Sequence, residues 1–260
     1  MKKSNALKYN NPKSRLFDWY DITYEYMGTE WIKNIFQKVI NEFGYLDKYS
    51  NLDKKDSSER FIFVSPTANK GKYEKELFKF ICDKKIYNKF IIGDIANLNE
   101  HECNDSESEY GEFIYNSGMD AMNVERSLRE QYNNIKADVV FDYKGCIWYK
   151  AKEKNVEEVI KLFKAYYKVL KPSGIIIFDN INVKKIKYNI NLLKLSLCYL
   201  GIKPKITELT ERSTYYYLYN KMIENKKYEE VSNFIKEHFK IIHFNSDNKK
   251  ECAVILQKKH

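Results

Sequence analysis

ADVVFDYKGCIWYKAKEKNVEEVIKLFKAYYKVLKPSGIIIFDNIN, residues 137–182, is the stretch whose reading decides the fold. It opens on Val139-Val140-Phe141, bracketed by Asp138 and Asp142. A short run of β-branched and aromatic residues between acids reads as a buried strand. Val156, Val159, Ile160, Phe163, Tyr166, Tyr167 and Leu170 then fall at helical spacing and make one apolar stripe. Lys171-Pro172-Ser173-Gly174 ends that helix, because proline cannot continue it and glycine accepts turn geometry. Ile175 to Phe178 follows, apolar at every position and closed by Asp179. A strand apolar on both faces must be covered on both, as in a parallel sheet between helices. Strand, helix and strand make a βαβ unit with a right-handed crossover.

Working outward, Phe61 to Val64 gives another fully apolar strand, followed by the loop SPTANKGK and a helix begun by Tyr73, Leu77, Phe80 and Ile81. Phe90-Ile91-Ile92-Gly93-Asp94 is a strand ending in an acid, and Phe113 to Tyr115 a weaker one. Between them, Asn97 to Tyr110 is acidic and polar, a loop or short helix, and Val124 to Ile135 is helical. Toward the C-terminus, Tyr228 to Phe239 is helical, and Ile241–Phe244 with Cys252–Leu256 forms a hairpin across a Ser/Asp/Asn turn. STYYYLY at 213–219 reads as a strand or an aromatic helix, and Ile186, Ile190, Leu193 and Leu197 suggest a helix before it. At the other end, Leu16, Phe17, Trp19, Tyr20, Tyr24 and Tyr26 are too aromatic for a solvated tail and should pack onto the domain. Thr29 is placed to cap a helix carrying Trp31, Ile35, Phe36, Val39 and Phe43, with Gly44 as its stop. The expected organisation is an N-terminal aromatic, helical cap over 1–58 and a main domain over 59–260, with an insertion at about 181–225.

The chain has 260 residues, 43% hydrophobic and 31% charged, the balance of a globular domain. No apolar run approaches the roughly 18 residues of a membrane span. No apolar signal-peptide core follows Met1-Lys2-Lys3, so the expected location is the cytoplasm. Five cysteines form no CxxC pair and four histidines no ligand spacing, which argues against a disulfide framework and against a metal. The net charge of +9 comes from lysine spread along the whole chain, so a nucleic-acid partner is not the favoured reading. Neither an acceptor nor an oligomeric state is written in these residues.

Strands alternating with helices and closed by a hairpin resemble the class I S-adenosylmethionine-dependent methyltransferases. The likeness is best over Asp142–Asp179, where LKPSG before an apolar strand is similar to the family's LkPGG segment, and at the ending FKIIHFNSDNKKECAVILQKK. It implies an α/β, Rossmann-like, mostly parallel seven-stranded sheet of order 3-2-1-4-5-7-6, the last strand antiparallel and helices on both faces. Ligands of such sheets bind at the carboxyl ends of the strands near the switch point. The resemblance also implies S-adenosylmethionine as cofactor. Its methionine half would lie by Ser65 and Gly71, its ribose by Asp94 with Ile95 beside it, its adenine by Asp120-Ala121, and its methyl by Asp142. Asp142 and Tyr143 are the candidate catalytic residues, as a general base if one is needed. SPTANKGK departs from the family's acid plus GxGxG: only Gly71 stands, and Ser65 takes the first glycine's place. Asp94, Asp120 and Asp142 read equally well, one at a time, as strand-end or capping acids. Tyr143, Lys144 and Trp148 are placed for the substrate side, Trp148 more naturally for packing. The implied activity is methyl transfer to a small molecule. The alternatives are a methyltransferase-like binding module without catalysis, or an RNA methyltransferase.

Overall fold

A computed structural model describes residues 36, 46, 49, 60–68, 71–95, 105–143, 145–152, 155–179, 181–183, 215–217, 226–244 and 253–260. In chain order these give β1 (Phe61–Ser65), α1 (Lys72–Asp83), β2 (Asn88–Asp94), β3 (Ser106–Ser108), β4 (Gly111–Ser117) and α2 (Val124–Gln131). There follow β5 (Ala137–Asp142), α3 (Cys146–Lys152), α4 (Val156–Val169) and β6 (Leu170–Asp179). The remainder is β7 (Ile181–Val183), β8 (Tyr215–Tyr217), α5 (Glu229–His238), β9 (Phe239–Phe244) and β10 (Ala253–Lys258).

Eight strands form the main sheet, in the order β3-β4-β2-β1-β5-β6-β10-β9. Without β3, this is the expected order, and β10 pairs antiparallel with both its neighbours. The sheet therefore has one strand more than the seven anticipated. β3 pairs antiparallel with β4, Glu107 opposite Glu112, in a stretch that had read as loop or short helix. All three of its residues are exposed, so it carries no apolar alternation and is held by backbone pairing and by the contact of the Ser108 hydroxyl with the Cys82 thiol at 3.0 Å.

Alternation along each central strand sorts side chains onto two faces. Ile62, Val64, Ile91, Val140, Ile176, Phe178, Val254 and Leu256 face one core, shared with α2, α3, α4 and α5. Phe61, Phe63, Phe90, Ile92, Val139, Phe141, Ile175, Ile177 and Ile255 face the other, shared with α1. That second core is an aromatic bed: Phe63 stacks on Phe90 at 4.3 Å, and Phe36 meets Phe63 edge-on at 5.8 Å. Phe36, Leu46 and Tyr49 all bury into it, so these three residues of the N-terminal stretch pack on the sheet. Thr29, Gly44, the aromatics from Leu16 to Tyr26, the helix at 186–197 and the hairpin turn at 245–250 lie outside the described residues. Within the stretch 181–225, β7 and β8 pair as a two-stranded antiparallel ribbon, which makes 215–217 strand rather than helix.

Two other local readings change. The link after β5 contains α3, which is too short to show a period. The turn expected at Lys171–Gly174 lies inside β6 as a bulge: α4 ends at Val169, β6 begins at once, and the pairing with β5 passes from Leu170 to Ile175. Ser173 takes φ 60°, and the pairing of β5 with β6 shifts register between Ala137 and Val139. The abrupt exit from α4 leaves carbonyls to satisfy. Lys258 donates to those of Tyr167 and Leu170 at 2.9 and 3.1 Å, while its ammonium lies 4.0 Å from the Tyr167 ring centre. Lys258→Met should therefore cost about 1–3 kcal/mol in chemical denaturation. A loss below about 0.5 kcal/mol would show that water replaces this cap.

Candidate functional site

The switch point of the sheet lies between β1 and β5, from which the chain runs outward in opposite directions. Loop geometry at that point is tight. Ala68 N–H donates to the Gly93 carbonyl at 2.8 Å, fastening the β1 loop to β2, and Gly118 N–H does the same to Asp94 at 2.8 Å. Gly71 takes φ 65°, and a Cβ there would overlap Ile92, so glycine is required before α1. A Cβ on Gly145 would collide with both the Asp142 carboxylate and the Thr67 hydroxyl, so the β5 loop folds directly over β5's terminal acid.

That acid, Asp142, has no exposed surface. Its Oδ2 accepts the Tyr166 hydroxyl at 2.6 Å and the Ile147 N–H at 3.2 Å, while Thr67 Oγ1 stands 3.5 Å from Oδ1. Burial pushes its carboxyl up to about 6, against the opposing pull of these donors. It thus caps the start of α3 and anchors α4 through Tyr166. Tyr143, the next residue, is 9% exposed and lies in the aromatic core, stacked on Phe141 and edge-on to Tyr73 at 5.3 Å.

Asp120 also caps: its oxygens accept Met122 N–H at 2.9 Å and the Asn123 amide at 2.7 Å, opening a 3-10 turn at Ala121–Asn123 in which Ala121 is buried. Asp94 ends β2, and Ile95 beside it is one of two large apolar residues exposed among those described, the other being Ile241. The three acids meet electrostatically at Cys146. Its thiol is raised by burial first, then by the carboxylates of Asp142, Asp94 and Asp120. Asp94, Asp120 and Asp142 thus lie along the carboxyl edge of the sheet, with Thr67 and Gly145 against Asp142. Lys144 lies outside the described residues, as does the side chain of Trp148.

Ser65 is 1% exposed and turns inward, donating to Glu74 Oε1 at 2.8 Å. Glu74 was not anticipated. In KYEKELF it reads as a solvated acid in a first helical turn, and only the strand end beneath α1 buries it. Tyr166 belongs to the apolar stripe of α4. Its hydroxyl was the available signal, since a buried tyrosine needs an acceptor. Among the described residues no three His, Cys, Asp or Glu side chains are grouped to hold a metal, and no helix is long and apolar enough to cross a membrane.

No family model matches the chain, and no curated protein matches it. Among solved structures it is similar to a Listeria monocytogenes protein assigned to the class I S-adenosylmethionine-dependent methyltransferases. Identity is 12% and the TM-score 0.44, over 83% of this chain and 57% of that one, so the chain spans little more than half of that protein. A SAM-dependent methyltransferase of Methanosarcina mazei is 13% identical at TM-score 0.41, over 82% of this chain and 96% of that one. The N-methyltransferase NodS of Bradyrhizobium japonicum is 8% identical at TM-score 0.40, over 85% and 96%. These likenesses are loose, and the fold rests on the chain's own topology: a core ordered β4-β2-β1-β5-β6-β10-β9, Rossmann-like, with β10 the one reversed strand.

Proposed function

We propose that the chain is an S-adenosylmethionine-dependent methyltransferase acting on a small-molecule acceptor. One arrangement supports this above all: Asp94 and Asp142 end β2 and β5, the strands on either side of β1, and Asp120 opens the turn after β4, so the three acids lie along the carboxyl edge of the sheet beside the switch point. Asp94 suits a ribose, because an ionised carboxylate accepts from two adjacent hydroxyls. The exposed Ile95 beside it offers an apolar surface to a base. Asp120 shapes the floor near Ala121 by fixing the 3-10 turn, and Gly71 lets the β1 loop close onto β2. When bound, the cofactor supplies a methyl group activated by a sulfonium. Asp142, ionised above about pH 6, would complement that positive charge from within the core. With its oxygens engaged and Tyr143 seated among aromatics, both act as positioning residues. The acceptor that fits is one whose nucleophilic atom needs no base from the protein. Orientation of that atom then carries most of the rate.

A second reading, a binding module without catalysis, is favoured by one feature: Ser65 fills the place of a loop glycine and turns inward. Calorimetry separates the two. S-adenosylhomocysteine should bind with micromolar affinity, weakened about tenfold or more by Asp94→Ala, equivalent to at least ~1.4 kcal/mol. Absence of heat and of thermal stabilisation with either S-adenosylmethionine or its product would overturn the methyltransferase reading.

A further inference from the structure

The candidate site occupies the carboxyl ends of the strands, and the opposite end of the sheet has a different chemistry. β5, β6 and β9 begin there, the reversed β10 ends there, and α4 and α5 finish beside them. Lysine is scattered in sequence, but folding collects Lys136, Lys168, Lys236, Lys240, Lys258 and Lys259 at this corner. Lys136 Nζ donates to the Lys168 carbonyl at 2.8 Å and Lys259 Nζ to that of Lys236, while Lys240 stands opposite Gln257, next to Lys258. Lys168, Lys236, Lys240 and Lys259 are exposed. Acids are fewer: Glu125 lies 3.3 Å from Lys168, and Glu237 stands beside His238 at 3.9 Å. Among the described residues the other five lysines make no ion pair.

Three rings lie among these ammonium groups. Tyr167 of α4 and Phe234 and His238 of α5 are half-buried, with centres 4.3 to 6.1 Å apart. The buried Phe239 meets Tyr167 edge-on at 5.6 Å and fixes it in place. Lys258 Nζ stands 4.0 Å from the Tyr167 ring centre, and Lys164 Nζ 5.8 Å from that of Phe234. Aromatic faces interleaved with ammonium groups answer the two demands of a single-stranded nucleic acid. Its unpaired bases stack on rings, and its phosphates take cations in exchange for counterions.

We propose that this corner of the sheet, Tyr167 and Phe234 with the lysines around them, is a docking surface for single-stranded nucleic acid. The six residues of β5, roughly 20 Å end to end, separate it from the candidate site, so it holds a partner without presenting it to that site. An acidic lipid surface is the poorer fit. It draws in apolar side chains as well as cations, and Ile241 is the one large apolar residue exposed at this corner among those described.

The test uses the full chain and a labelled oligouridylate of about 12 nucleotides. Fluorescence anisotropy should show micromolar binding at about 50 mM salt, weakening at least tenfold by about 200 mM. Lys236→Gln/Lys240→Gln removes two exposed ammonium groups and should weaken binding about tenfold, lowering the salt slope by roughly 1–2. Lys226→Gln/Lys227→Gln, an equal loss of charge in the turn at the other end of α5, should change neither. Tyr167→Leu should weaken binding about fivefold or more and leave the salt slope unchanged. Oligouridylate carrying thiouridine, photo-crosslinked to the wild type, gives a reading independent of any variant's folding: the labelled peptides should hold Tyr167, Phe234 or His238. Labels confined to other surfaces, equal weakening by the two lysine pairs, an unaffected Tyr167→Leu, or no binding at the lower salt would each overturn the proposal. Binding to phosphatidylserine vesicles without binding to RNA would overturn it in favour of a lipid surface. None of these outcomes touches S-adenosylhomocysteine binding, so the methyltransferase reading stands or falls separately.

Discussion

Asp138→Ala should remove about 3–5 kcal/mol of folding free energy and lower Tm by roughly 6–20 °C. Asp138 lies one residue into β5, at the end of the sheet away from the candidate site, and is 1% exposed. Its carboxylate accepts the Tyr49 hydroxyl at 2.5 Å, the Ile62 N–H at 2.9 Å and the Lys171 ammonium at 2.6 Å. Lys171 in turn reaches the Arg60 carbonyl and the Tyr49 hydroxyl, both at 3.2 Å. One acid thus fastens β1, β5 and β6 to each other and to Tyr49. Alanine would strand a largely buried ammonium, a strand N–H and a phenol, and an unpaired buried charge costs far more than the pair contributes. Asp138→Asn can keep its oxygen toward Ile62 and Lys171 and should lose only about 1–2 kcal/mol. Removing Lys171 as well should restore part of the alanine loss in a double-mutant cycle. Denaturant unfolding reads wild type, the two Asp138 variants, the Lys171 variant and the double variant. An alanine variant within 1 kcal/mol of wild type would mean that Tyr49 and Lys171 find other partners.

This clasp shows where sequence reading succeeds and where it ends. The apolar runs Phe61–Val64 and Ile175–Phe178 mark buried parallel strands because nothing else hides both faces. The stripe of α4 is equally plain. What periodicity cannot show is a polar partner chosen by the fold. Asp138 and Asp142 bracket the same three apolar residues and look alike in sequence, yet one clasps strands and the other caps a helix. Short or solvated elements escape for a related reason: α3 has seven residues, and Ser106–Ser108 buries none of its side chains. Among the candidate site residues, Asp94 and Asp142 were legible as strand-end acids because each follows an apolar run, whereas Asp120, behind Asn116–Met119, was placed by the resemblance alone. Glu74 was not legible. Its character comes from Ser65 and Asp94, nine and twenty positions distant in sequence and adjacent only once β1 and β2 pair.

Asp142→Asn should be tolerated, and above neutral pH should stabilise the protein, whereas Asp142→Ala should cost about 3 kcal/mol or more. Oδ2 alone takes both the Tyr166 and Ile147 donors. An asparagine oxygen in its place keeps both bonds, and the amide nitrogen then faces the Thr67 hydroxyl, which can accept. Alanine keeps none of these bonds and leaves the Tyr166 hydroxyl and the Ile147 and Cys146 N–H groups without their acceptor. The pH dependence follows from the raised pKa. Because the folded protein holds the Asp142 proton up to about pH 6, against 3.8 for an unperturbed aspartate, the group's contribution to stability is fully present below about pH 4. It is lost as pH rises through 6, a change of roughly 3 kcal/mol. Glu74, raised to about 7, acts with the same sign across a slightly higher window. Wild type minus Asp142→Asn, measured by denaturant from pH 4 to 8, cancels the other carboxylates. The asparagine variant should gain on wild type as pH rises and level off above about pH 7. A difference flat with pH would show that donors around Asp142 offset its burial completely. An asparagine variant as unstable as alanine at pH 8 would show instead that charge, and not hydrogen-bond geometry, holds α3 and α4 against the strand end.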